Sequence, residues 1–203
     1  MGTSLPEKKH PKPLIIGVTI AIVAILIGAI TLLYHPYVTE APTQAWLNDI
    51  EGDVEFIGEE YPGIIDLTYV SLEVDEGILK ITITVRDSIP EHLENGEYAQ
   101  WMATIILQDG LFKAYEVYAE INSTINQGEL MGYFREIGEQ EETCTVEHNG
   151  KSLVIFAPLN GLQSAREIEW SIQTLFEKWS NNDLINNGID YAPDEGFQST
   201  ILK

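Results

Sequence analysis

The sequence predicts an all-β domain, a single β-sandwich of jelly-roll-like type, carried behind one N-terminal transmembrane helix. Three observations predict it. Residues 14–33, LIIGVTIAIVAILIGAITLL, run for twenty positions without a charge. After them, apolar residues recur at every second position in one segment after another. Turn-forming residues such as Asp75-Glu76-Gly77 and Asn149-Gly150 stand between those segments.

At about 1.5 Å per residue a helix over this run is roughly 30 Å long, the thickness of a bilayer's hydrocarbon core. Lys8, Lys9 and Lys12 precede it, and the next basic residue is Lys80. The positive-inside rule then keeps the N-terminus in the cytoplasm and places the remainder outside. Tyr34 and Tyr37 sit where interfacial aromatics belong. A cleaved signal peptide would have a shorter apolar core and a small-residue cleavage site, so an uncleaved signal-anchor is the better reading. A pilin-like assembly helix would need a processing site, and none is evident near Lys8 to Pro13. The expected organisation is a basic cytoplasmic head (1–13), a span (14–34), a stalk stiffened by Pro36 and Pro42 (35–45), a domain (46–198) and a tail (199–203).

Residues 70–74 and 79–85 alternate on either side of Asp75-Glu76-Gly77, which reads as a β-hairpin with one buried face. Residues 97–108 place Trp101, Ala103, Ile105 and Leu107 on one face, with Met102 and Ile106 on the other, as in a central strand. Residues 113–121 alternate again after an Asp109-Gly110 turn, with Tyr115, Val117, Ala119 and Ile121 inward. Residues 129–137 form a weaker strand. Residues 143–148 and 151–157 flank Asn149-Gly150, a two-residue hairpin signal in which both residues take positive φ. Residues 166–179 fit a strand through Ile168, Trp170, Ile172, Thr174 and Phe176. They also fit a helical stripe through Ile168, Ile172, Leu175, Phe176 and Trp179; the neighbouring strands favour the first. After Trp179 the chain turns polar and reads as a long loop. Eight or nine short strands with turns between them mean a sandwich or barrel.

Net charge over the 203 residues is −21. The head holds three lysines against Glu7, which leaves 8 basic and 31 acidic residues after it, or −23. Such a surface repels nucleic acid and attracts cations. Cys144 is the single cysteine, so an intrachain disulfide and a thiolate metal site are excluded, and its alternation with Val146 suggests a buried, inert thiol.

Chemistry concentrates first in the acidic segments. Asp49-Ile-Glu51-Gly-Asp53 opens the domain and is followed by Asp66; Asp190-Tyr-Ala-Pro-Asp194-Glu195-Gly closes it. Calcium takes six to eight hard oxygens, and carboxylates on Gly-containing loops supply them. Asp49, Asp53, Asp190 and Asp194 are the expected ligands, provided the two segments meet; the competing reading is solvated acidic loops. Together with the YVSLEV and LKITITV strands, these two motifs resemble extracytoplasmic sandwiches related to family 9 carbohydrate-binding modules and DOMON domains. The resemblance covers about residues 46–197 and rests on Ile50 to Asp53, Asp66 and Asp190 to Gly196. It implies a β-sandwich that binds sugar or haem, or has no known ligand, with acidic loops able to hold structural calcium. The paired stacking tryptophans of family 9 modules have no assigned counterpart.

Trp101 and Trp170 fall on inward positions and read as core. Trp46 and Trp179 flank loops and remain candidates for ligand binding, as a sugar-stacking surface. Haem would need axial Met or His, for which Met102, Met131, His92 and His148 exist. Carboxylates are plentiful, but no pair has the spacing of a glycosidase, and no nucleophile elbow is present. Asn122-Ser123-Thr124 is an N-glycosylation sequon on the extracytoplasmic side. The sequence therefore points to a non-enzymatic, membrane-anchored binding or surface-interaction module on the cell envelope, with calcium as the expected stabilising ion and a glycan or envelope protein as partner. An envelope hydrolase built on the acidic loops and a structural accessory subunit of a membrane complex are the alternatives.

Overall fold

The computed structural model describes residues 43–58, 62–108, 112–125, 128–194 and 196–202. The head, the span over 14–34 and the stalk up to residue 42 lie outside them, as does the Asp109-Gly110 turn. Among the described residues no helix is long and apolar enough to cross a membrane.

Twelve strands run through the described residues, paired antiparallel throughout. β5 (Glu97–Gln108), β6 (Phe112–Asn122), β7 (Leu130–Glu136), β8 (Glu142–Asn149) and β9 (Ser152–Ala157) form an up-and-down meander. The hairpin of β3 (Leu67–Asp75) and β4 (Ile78–Val85) adds to it through β4 against β9. A second hairpin, β10 (Glu167–Ser180) and β11 (Asp183–Ala192), adds at the other side through β10 against β5. β1 (Thr43–Asn48) borders β3, β2 (Glu55–Ile57) borders β11, and β12 (Gln198–Ile201) lies along the start of β10. β8 gives its first residues to β7 and, from Thr145 on, pairs with β9. The sheet therefore curls into a half-barrel with one apolar interior.

The period-two patterns become strands as expected. Trp101, Ala103, Ile105 and Leu107 are fully buried, and β5 is central, between β6 and β10. Residues 167–180 resolve to strand, with Ile168, Trp170, Ile172, Thr174 and Phe176 inward. Two details differ from the sequence reading. Asn149 pairs with Ser152, so the β8–β9 loop is Gly150-Lys151 rather than Asn149-Gly150. Of the two loop residues only Gly150 has positive φ (61°), the pattern of a type II′ turn. And the polar stretch after Trp179 is β11, not a loop. Asn181 (φ 53°) and Asn182 (φ 70°) make the tight left-handed turn, which asparagine tolerates better than other non-glycine residues. The inward positions of β11 are Gly188, Asp190 and Ala192, too small or too polar to print an apolar alternation. The described fold also takes in residues 43–45 at one end and 199–201 at the other, through β1 and β12.

A buried segment without regular structure ties the two halves of the sheet together. Residues 63–67 are all buried, so their backbone groups need partners inside the protein. Asp87 N donates to Gly63 O (3.0 Å) and Arg86 N to Asp66 O (2.8 Å). The indole N–H of Trp101 donates to Ile64 O (2.8 Å), and Thr174 Oγ1 donates to Ile65 O (2.5 Å). Two side chains of β5 and β10 thus satisfy two carbonyls that lead into β3. A bulge at Thr68, between the Leu67↔Val85 and Tyr69↔Thr84 pairs, then resets the alternation so that Leu67 and Val70 both face inward. Thr174→Val keeps the shape but orphans the Ile65 carbonyl, and should lower unfolding stability by about 1–3 kcal/mol in urea titrations. Thr174→Ser, which keeps the donor, should lose clearly less; equal losses would mean the hydroxyl does not matter.

Candidate metal centre

The two ends of the curled sheet meet at aspartates. β1 and β3 form one end of the strand order, β11 and β2 the other. Asp49 follows β1, where its N–H extends the β1–β3 pairing to Thr68 O (3.2 Å). Gly52, at φ 92°, turns the chain and donates its N–H to Asp66 Oδ1 (3.0 Å). Asp53 comes next, just before β2. Asp66 stands immediately before β3 and is fully buried. Asp190 lies on the inward face of β11, opposite Thr174, and accepts Leu67 N–H (2.6 Å) and Tyr191 N–H (2.9 Å). Asp194 follows the end of that strand.

All four aspartates expected as ligands lie in this cluster, and Asp66, named beside them in the sequence but not as a ligand, joins them. Carboxylate oxygens of Asp49, Asp53 and Asp194 lie within 4.8 Å of one another, and so do those of Asp53, Asp66 and Asp190. Asp66 precedes the first strongly alternating strand, but no spacing in the sequence ties it to Asp53 and Asp190. Arg86 Nη1 binds Asp66 Oδ2 (2.9 Å), and Nη2 lies 3.7 Å from Asp87. The guanidinium therefore pairs with one member of the cluster, Asp66, and with Asp87 outside it.

The excess negative charge is visible in the proton affinities. Burial first, and then the charges of Asp190, Asp53 and Asp194, push Asp49 up to about 8. Its Oδ2 is buried and makes no hydrogen bond among the described residues. Burial also lifts Asp190 to about 6, against the two N–H groups that favour its ionised form. Asp53 is raised as well, by desolvation and by Asp194 and Asp66. Near pH 7 the Asp49 carboxyl therefore holds its proton, while Asp53 and Asp194 are exposed to solvent.

The other sequence candidates lie elsewhere. Trp46 is exposed on β1, opposite Ser71. Its neighbour Ala45 packs near Ile168 and Trp170, at the start of β10. Trp179 is exposed at the far end of β10, nine residues and about 30 Å along the strand from Trp170. Trp46 and Trp179 are therefore not brought into one stacking platform. Trp101 and Trp170 are core. Asn122 ends β6, and its Oδ1 accepts from Thr124 Oγ1 (2.8 Å) and Thr124 N (3.0 Å). Cys144 is half-buried, and desolvation pushes its thiol up to about 11, which keeps it protonated. His148 contacts Gly150 O (3.0 Å) at the β8–β9 turn, while His92 faces Gly128 O (3.4 Å).

Sequence reasoning missed a second constellation, a cleft of about 420 Å³ on the outer face of β5, β6 and β10, lined in part by Tyr98, Glu120, Glu177 and Trp179. The signal was available in the phase of the alternation, since these residues occupy the outward positions of strands whose inward positions were identified. Comparison with known proteins returns no match: no family model, curated protein or solved structure aligns with the chain.

Proposed function

We propose that this chain is a single-pass, membrane-anchored protein that presents a jelly-roll-like β-sandwich outside the cell, where it serves as a binding or surface-interaction module stabilised by a calcium ion. The observation that carries the cation is the convergence of Asp49, Asp53, Asp66, Asp190 and Asp194 within two overlapping sets of 4.8 Å. Calcium–oxygen distances of about 2.4 Å put ligands on opposite sides of the ion about 4.8 Å apart, so either set fits one coordination sphere. The ion would sit at the seam between the two ends of the sheet and hold it closed. The anchor is supported by the uncharged run over 14–33 and the lysines before it. The loose likeness to family 9 and DOMON sandwiches agrees with this picture, and the partner would be a glycan or an envelope protein.

A hydrolase using the same carboxylates is the second reading, and the unequal proton affinities of Asp49 and Asp190 favour it. The spacing weighs against it. Paired glycosidase carboxyls stand roughly 5–9.5 Å apart, with room for sugar or water between them. The oxygens within each set are closer than that, and Asp49 and Asp190 stand in different sets. Melting curves of the full-length chain in non-ionic detergent, with EDTA and with millimolar calcium, test the cation. A rise of about 5–10 °C is expected at saturating calcium, from roughly 2.7 kcal/mol at a hundredfold excess over Kd. No shift would end the calcium reading.

A further inference from the structure

The cleft of about 420 Å³ has a composition that selects its ligand. Glu177, Tyr98 and Asn122 are direct cross-strand neighbours on β10, β5 and β6, and Glu120 stands one row along on β6. Trp179 also lines it and is exposed. Each polar edge of the aromatics is already engaged. The indole N–H of Trp179 donates to Glu177 Oε2 (2.9 Å), and the Tyr98 hydroxyl donates to Glu120 Oε2 (3.0 Å). What the two rings leave for a ligand is therefore their π faces.

Charge points the same way. Among the described residues no ion pair joins Glu120 or Glu177 to a cation; Lys178 is held by Glu94 (3.3 Å) and Glu97 (2.8 Å), and Arg135 by Glu116. Among the described residues the hydroxyls of the cleft are engaged, and the Asn122 amide is the side-chain donor that remains. Ser123 Oγ donates to Glu97 O (2.8 Å), and Thr124 Oγ1 donates to Asn122. A sugar needs donors as well as acceptors, whereas an organic cation needs π faces and carboxylates.

We propose that this cleft binds a small organic cation, an alkylammonium group seated on Trp179 and Tyr98 and neutralised by Glu120 and Glu177. The volume lies at the small end of ligand pockets, enough for a short amine or a quaternary ammonium compound. Burial raises the proton affinity of Glu120, and a bound cation would reverse that shift. The site is separate from the aspartate cluster and does not depend on calcium.

The test uses the full-length chain in non-ionic detergent, with EDTA present, and follows tryptophan fluorescence and titration heat. The probes are choline, spermidine, the neutral choline isostere 3,3-dimethyl-1-butanol, and cellobiose. Choline and spermidine should bind saturably at or below about 10 mM, and the neutral isostere at least tenfold more weakly, because the charge supplies the attraction. Choline binding much tighter than spermidine would assign the quaternary source, the reverse a primary amine. Glu177→Gln and Trp179→Leu should each weaken binding about tenfold or more, Trp179→Phe less than Trp179→Leu, and Asp49→Asn not at all. Unchanged melting temperatures in the Glu177 and Trp179 variants separate loss of binding from loss of fold. Absence of saturable cation binding, equal binding of the neutral isostere, a preference for cellobiose, or loss of binding in Asp49→Asn would each overturn the proposal.

Discussion

Asp49→Asn should move the stability of this protein in opposite directions with and without calcium. In EDTA at pH 8 the variant should melt higher than the parent; in millimolar calcium it should melt lower. The first effect follows from the proton affinity of Asp49. Folded, the carboxyl keeps its proton to about pH 8; unfolded, it releases it near pH 4. Between those limits the folded state holds more protons than the unfolded one, so metal-free stability is greatest at acid pH and falls as pH rises through the window. Asp190, raised to about 6, adds to the fall over the lower half. An asparagine removes the charge that burial and Asp190, Asp53 and Asp194 oppose, and flattens the profile. The second effect follows because a bound cation makes that same charge favourable. Calcium should erase the parent's decline between pH 5 and 8, as the ion replaces the protons, while the variant should gain less than about 2 °C from calcium. Scanning calorimetry at several pH values, with and without calcium, reads both. A parent that is flat across pH and indifferent to calcium would remove the basis for a charged cage.

Arg86→Met should be the most damaging single change outside the apolar core. Asp66 is fully buried, and its Oδ2 meets the guanidinium at 2.9 Å. Removing the guanidinium leaves the buried Asp66 carboxyl beside those of Asp53 and Asp190. Breaking a buried pair typically costs 3–5 kcal/mol, and since the Arg86 side chain is 31 % exposed the low end applies, about 3 kcal/mol. For a domain of this size that lowers Tm by roughly 6–12 °C in EDTA. The double variant Asp66→Asn/Arg86→Met should recover part of the loss, because no unpaired charge remains. Calcium should rescue Arg86→Met by more degrees than it stabilises the parent, since the ion then stands in for the lost cation. A small loss in EDTA with no rescue would mean that Arg86 is merely a surface contact.

The strands were legible because burial on one face of a sheet writes itself into the sequence at period two. Val70 and Leu72 in β3, the odd positions of β5 from Trp101 to Leu107, and Tyr115 to Ile121 in β6 all read true. β11 was illegible because its inward residues are Gly188, Asp190 and Ala192, which serve the aspartate cluster and close packing rather than an oily core. The turn at Gly150-Lys151 was misread by one residue because Asn149-Gly150 fits a type I′ turn so well; pairing of Asn149 with Ser152 decided otherwise. The aspartates could be singled out by their density at the two ends of the domain, but the place of Asp66 among them could not.

By itself, the sequence determined the one uncharged run long enough to cross a bilayer, the sign and excess of charge after it, and an all-β class. Each of these depends on residues near one another along the chain. Only the tertiary structure decided which carboxylates meet. Asp49 and Asp190 are 141 positions apart, and each feels the other's charge because a meander of five strands, extended by a hairpin at each side, curls until the start of β3 reaches β11. The outward faces of β5, β6 and β10 likewise became a cleft only when strand pairing set Tyr98 beside Glu177 and one row from Glu120. Curl and register are properties of the whole sheet, since each strand's position depends on its neighbours, and no local pattern encodes them.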